Sequence, residues 1–155
     1  MVRPPGEEAV RFYTSIFRNS KLEAVTRYGE VGPGPKGSVM TAAFQIEGQQ
    51  CIALNGGPYF KFTEAISFVV NCEQEVDELW KKLSEGREKV ECGWLKDKYG
   101  LSWQIIPAVL SEMLQDQDPA RTQRVMKAML QMKKLDIARL EGAYRQRQDR
   151  NRHDN

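Results

Sequence analysis

Two apolar stripes of identical spacing stand 67 residues apart, Ala9, Phe12, Tyr13 and Ile16 first, then Val76, Leu79, Trp80 and Leu83. Positions i, i+3, i+4 and i+7 share one face of an α-helix, so the chain must bury two equivalent helices. The first helix is expected over 7–17, with Glu7 and Glu8 at the positive end of its dipole. Strand-like runs over 22–28, 38–46 and 50–55 follow it, bounded by glycines. A strand over 65–72 precedes the second helix, over 75–83, and beyond Gly86 the runs 90–96 and 101–106 read as strands. Turns at Glu47-Gly48 and Lys98-Tyr99-Gly100 join neighbouring runs into hairpins. Helix and strands thus come twice in similar order, the signature of a repeated α+β unit.

The end of the chain is helical instead. Asp118 before Pro119 is a helix start, with proline at the first helical position, and Val125, Met126, Met129 and Met132 supply its stripe. Asp136 caps a last helix, flanked by Leu135 and Leu140 where a hydrophobic staple places them. These methionines are expected to pack rather than to serve a cofactor. With 155 residues there is room for one ordinary domain or two small fused modules. The longest apolar runs, such as 105–110 with Pro107 inside, fall short of the roughly 20 residues a membrane span needs, so no membrane anchor is expected.

Residue counts exclude several chemistries. The only histidine is His153, in a stretch that reads as a flexible tail over 150–155, so neither a Ser-His-Asp triad nor an imidazole-based metal site belongs to the folded body. Cys51, Cys72 and Cys92 lie about twenty residues apart without a Cys-x-x-Cys pair; an odd count and no apolar leader after Met1 point to a reducing cytoplasm. Net charge is +2, all of it in the last eleven residues through Arg145, Arg147, Arg150 and Arg152; the remaining 19 basic and 19 acidic side chains cancel. That distribution argues against nucleic acid as a partner.

Strand alternation narrows the candidate site. Ile66, Phe68 and Val70 oppose Ser67, Val69 and Asn71; Trp103 and Ile105 oppose Ser102, Gln104 and Ile106; Ile52 and Leu54 oppose Cys51, Ala53 and Asn55. If each bulky face carries a helix, Asn55, Ser67 and Gln104 look into a cavity on the other side. Small apolar and neutral polar groups suit a small organic ligand. Cys51, Tyr59 and Trp94 are candidate walls. The stretch Gly32-Pro33-Gly34-Pro35-Lys36-Gly37 fits G-x-G-x-x-G literally, but a strand follows it where a helix is required, so it reads as a hairpin loop. Glu64, Glu91 and Asp97 read as surface charges, the last between Lys96 and Lys98 at a solvated strand end.

The stretches Phe12 to Phe17, Ala53-Leu54-Asn55-Gly56-Gly57-Pro58, Phe60 to Cys72 and Trp94 to Ile105 resemble the vicinal oxygen chelate superfamily, which includes glyoxalase I, extradiol dioxygenases and bleomycin-resistance proteins. The similarity is greatest to its PhnB-like, or demethylubiquinone methyltransferase-like, branch, and it extends through the methionine-rich end. The resemblance implies paired βαβββ modules forming a cupped mixed sheet around a cavity, and a homodimer. Metal-using members carry His or Gln and Glu on the concave strands; the matching positions here hold Asn55, Ser67 and Gln104, which implies no metal and no other cofactor. The first strand of the first module is missing, because residues 1–6 are few and include two prolines; the chain begins late in its gene or a partner subunit fills the gap. The methyltransferase name has no nucleotide-binding turn to support it.

The expectation is therefore a single α+β domain, with a first module over about 1–58, a second over 59–108 and helices over 109–149. It is a cytoplasmic homodimer that binds a small organic molecule without metal. The alternatives are a metal-dependent lyase or dioxygenase completed by its dimer partner, and a protein-interaction scaffold.

Overall fold

A computed structural model describes residues 6–85 and 89–146. Residues 1–5 of the expected irregular start, the break expected at Gly86, the last residues of the expected helical end and the expected tail over 150–155 with His153 lie outside the described residues. The chain folds as two compact units, residues 1–63 and 64–155.

The first unit holds α1 (Gly6–Ile16), β1 (Ser20–Arg27), β2 (Val39–Ile46) and β3 (Gln49–Leu54). The strands form an antiparallel meander in the order β1-β2-β3, with an irregularity in the β1 ladder between Leu22 and Ala24. The β2–β3 hairpin turns at Glu47-Gly48, as expected, with Gly48 at a φ of 83°. Val10, Tyr13 and Phe17 are the buried side chains of α1 and its exit, so its buried stripe is turned by one residue from the expected Ala9, Phe12 and Ile16. They pack on the sheet face that carries Ala42 and Phe44.

The Gly-rich segment between β1 and β2 is the expected hairpin loop. It folds over Tyr28, where a Cβ at Gly34 would stand 2.3 Å from two ring carbons; glycine here is a packing requirement. The Tyr28 hydroxyl donates to the carbonyl of Asn55 at 2.9 Å, tying the loop to the end of β3.

The second unit contains β4 (Ser67–Cys72), α2 (Val76–Leu83), β5 (Trp94–Lys96) and β6 (Ser102–Pro107), then α3 (Ala108–Leu114), α4 (Pro119–Met129) and α5 (Ile137–Arg145). Its mixed sheet runs β4-β6-β5, with β4 parallel and β5 antiparallel to β6. All four stripe residues of α2 are buried, and the helix packs on β5 and β6, where Leu95, Trp103 and Ile105 are buried. The fold is therefore α+β with a C-terminal helical extension, its strands in two three-stranded sheets.

Leu110, Met113, Val125, Met132, Leu135 and Leu140 form the core of the extension. Both expected caps are present: Asp118 accepts from Ala120 N and Asp136 from Arg139 N. Leu135 and Leu140 are both buried in that core, as a staple requires. Helix α3 follows β6 directly at Pro107, with no capping side chain to announce it.

Candidate functional site

The register of the second sheet places the candidate polar residues. Ser67 pairs with Ser102 and Ser102 with Lys96, making one row; Val69, Gln104 and Trp94 make the next. Side chains alternate along each strand, so these rows project from the face opposite Trp103 and Ile105. Gln104 Nε2 donates to Ser67 Oγ at 2.9 Å. Ser67, Gln104 and Trp94 thus share one face.

Ser102 lies in the middle of this face at 1% exposure, and its Oγ has no hydrogen-bond partner among the described residues. A buried hydroxyl left unsatisfied costs about 1–3 kcal/mol. Sequence reasoning missed Ser102 as a site residue, yet it carries a signal: it has the parity of Gln104 and stands two positions away. Lys96 borders the row and is ion-paired with Glu64, whose carboxyl that contact holds below its ordinary pKa. Glu64 is the surface charge the sequence suggested.

Asp97 is not. It is fully buried, and its carboxylate accepts from Tyr99 N at 2.8 Å, Leu101 N at 3.0 Å and Trp103 Nε1 at 2.8 Å. The flanking lysines mislead because the turn folds their neighbour inward: Asp97 closes an Asx turn and supplies the acceptor that a buried indole N–H requires.

Asn55 and Cys51 also need correction. They share the face of β3 that α1 covers, not an open one. Asn55 Oδ1 accepts from Gly6 N at 2.8 Å and Nδ2 donates to Val39 O at 2.9 Å, so its amide fastens the start of α1 to the sheet. Cys51 is half-buried there, its thiol pKa raised by burial. Small side chains mark this face because the helix starts close to it: a Cβ on Gly6 would stand 3.5 Å from that of Ala53. The bulky Ile52 and Leu54 are the exposed ones, at 72% and 64%. Tyr59 is 86% exposed, in the first unit.

Comparison with known proteins places this arrangement. The profile of a family described as 3-demethylubiquinone-9 3-methyltransferase matches residues 3–106. The chain belongs to that family. Among solved structures, a putative 3-demethylubiquinone-9 3-methyltransferase, a PhnB protein from Bacillus cereus, is 38% identical; the match covers 66% of this chain and 90% of that one, with a TM-score of 0.60. A Staphylococcus aureus protein is 26% identical over 69% of this chain and 91% of its own, with a TM-score of 0.29. The curated proteins yield no match. The family profile ends at residue 106, just before α3.

Two bound groups are suggested by this kinship, and the residues present fit neither. A divalent cation needs anionic oxygens or imidazoles. Ser67 and Gln104 are neutral and bonded to one another, and the carboxylate of their hairpin, Asp97, is committed to three N–H donors. The methyl transfer in the family's description calls for a donor nucleotide, but the glycine-rich loop is packed on Tyr28 and leads into a strand.

Proposed function

We propose that this PhnB-like family member is a binding protein for a small organic molecule carrying carbonyl or hydroxyl oxygens, seated on the Ser67–Ser102–Gln104 face. The hydrogen-bonding capacity left open on this face carries this reading, next to a Ser102 hydroxyl that is itself buried and unpartnered. That hydroxyl lies beside a serine–glutamine pair that retains capacity: Gln104 Oε1 accepts nothing among the described residues, and Ser67 Oγ, an acceptor from Gln104, keeps its own proton to donate. Trp94, the register partner of Gln104, offers an apolar wall. The ligand would complete hydrogen bonds that the folded chain leaves open, and no charge is needed to hold it.

A second copy of the chain is the proposed partner and a reducing compartment the proposed location. Exposed apolar side chains in the first unit support the former, and three free cysteines the latter. Among the described residues no helix is long and apolar enough to cross a membrane.

Thermal shift across a panel of hydroxylated and carbonyl-bearing aromatic compounds tests the reading. At least one compound should raise the Tm of the wild type. Gln104→Met should lose that response, and Ser102→Ala should, without ligand, be more stable than wild type by about 1 kcal/mol, since a methyl group replaces an unsatisfied hydroxyl. Ser84, whose buried Oγ is also unpartnered at the end of α2, is the control: Ser84→Ala should respond like wild type. A panel without a single stabilising compound would remove the proposal.

A further inference from the structure

Helices α4 and α5 present matching faces to one another. Arg124, Lys127, Ala128 and Gln131 stand at i, i+3, i+4 and i+7 on the first and its exit, and Arg139, Gly142, Ala143 and Gln146 repeat that spacing on the second. Between them lies an open groove of about 450 Å³, a size that suits a small ligand. Its lining holds three cations, two amides and three small residues, and no carboxylate.

Among the described residues no carboxylate offsets the charge of this groove. Several basic side chains elsewhere in the second unit are paired: Arg121 with Asp116 and Asp118, Arg145 with Glu141, Lys134 with Asp77. None of Arg124, Lys127 and Arg139 has a carboxylate partner among the described residues. The nearest carboxylates along α5 are already used, Glu141 by Arg145 and Asp136 in capping the helix. Arg124 is held in place from behind. Its Nε donates to Ala143 O at 3.0 Å and Nη2 to Tyr144 O at 3.3 Å, which favours the carbonyl end of α5 and leaves Nη1 without an acceptor among the described residues. Small residues beside the cations let a ligand approach the helix backbones.

We propose that the α4–α5 groove is a binding site for a small molecule bearing two phosphoryl groups, a diphosphate in the simplest case. Three cations without a carboxylate partner among the described residues match two to three negative charges, guanidinium and ammonium donors suit phosphoryl oxygens, and Gln131 and Gln146 add neutral donors to the lining. This site is separate from the Ser67–Ser102–Gln104 face and stands whether or not that face binds anything.

Inorganic pyrophosphate is the probe, titrated at low ionic strength against the whole chain and followed by calorimetry and by the amide resonances of Gly142 and Ala143. Saturable binding of one pyrophosphate per chain, with both resonances shifted, is expected. Lys127→Gln and Arg139→Gln, both at exposed positions, should each weaken it about tenfold, as the loss of one charge-assisted contact would. Lys127→Arg should retain it. Lys61→Gln, removing an exposed charge from the first unit, should change it less than about twofold. Binding that never saturates, a loss at Lys61→Gln equal to that of the groove variants, or selection of citrate over pyrophosphate would each overturn the assignment.

Discussion

The carboxylate of Asp97 has no exposure to water and three N–H groups pointing at it. Its removal leaves those donors buried without an acceptor. Asp97→Ala should therefore destabilise by about 3–5 kcal/mol, and Asp97→Asn, which keeps Oδ1 but turns an NH₂ group toward the Trp103 indole, by about 2–3 kcal/mol. Urea unfolding measures both, and combining Asp97→Asn with Trp103→Phe should cost less than the two changes summed. Cys72 makes a pH prediction of the same kind. Burial first, and the charge of Glu75 second, push its thiol up to about 11 from an ordinary 9.0. Between these values the unfolded chain has lost a proton that the folded chain keeps, so stability present below pH 9 should fall as pH climbs to about 11. Melting curves of wild type and Cys72→Ala should show that loss in the wild type and a flatter course in the variant. Residue roles of this sort are half legible in the sequence. Alternation puts Ser67 and Gln104 on the smaller, more polar faces of their strands, but a small side chain such as Ala53 reads the same whether a cavity or a helix lies over it, and Asn55 is misplaced for that reason.

Elements are legible where periodicity and punctuation agree. The α2 stripe, the β2–β3 hairpin and the capped starts of α4 and α5 follow from local chemistry, and the structure keeps them. Helix α3 has neither cap nor preceding loop, so nothing local separates it from β6. Strand β5 is shorter than its apolar run because the chain before it is held by the helical extension: Cys92 N donates to Met132 O at 2.8 Å and Gly93 N to Lys133 O at 2.7 Å. Gly93 is the hinge of this junction. Its φ is 82°, and a Cβ there would stand 2.8 Å from Ile105 O and 3.1 Å from Leu135 Cδ1. Gly93→Ala should lower stability by about 2–4 kcal/mol through strain and clash together. Hydrogen exchange locates the effect: amides of β5 and of the α4–α5 connection should lose protection together while those of α1 and β2 keep theirs.

At the scale of the molecule the question is what covers its apolar surface. Ile52 and Leu54, with Tyr59, Phe60 and Phe62, are between 64% and 86% exposed, all in the first unit and close together in sequence. Each aromatic ring can bury roughly 150–250 Å², so these side chains alone approach the ~800 Å² per partner of a standard interface. Isolated exposed hydrophobes need no explanation, but a run of this length is what the proposed partner would cover. A second copy, the partner proposed above, would bring an identical run to meet it about a two-fold axis. Sedimentation equilibrium should therefore give twice the chain mass of 17.8 kDa. Phe60→Asp with Phe62→Asp should return the protein to that single mass, with its far-UV spectrum and Tm nearly unchanged, because neither ring belongs to the core of the first unit. A wild type that sediments at the single mass, or a double variant that stays paired, would assign this surface to a different occupant.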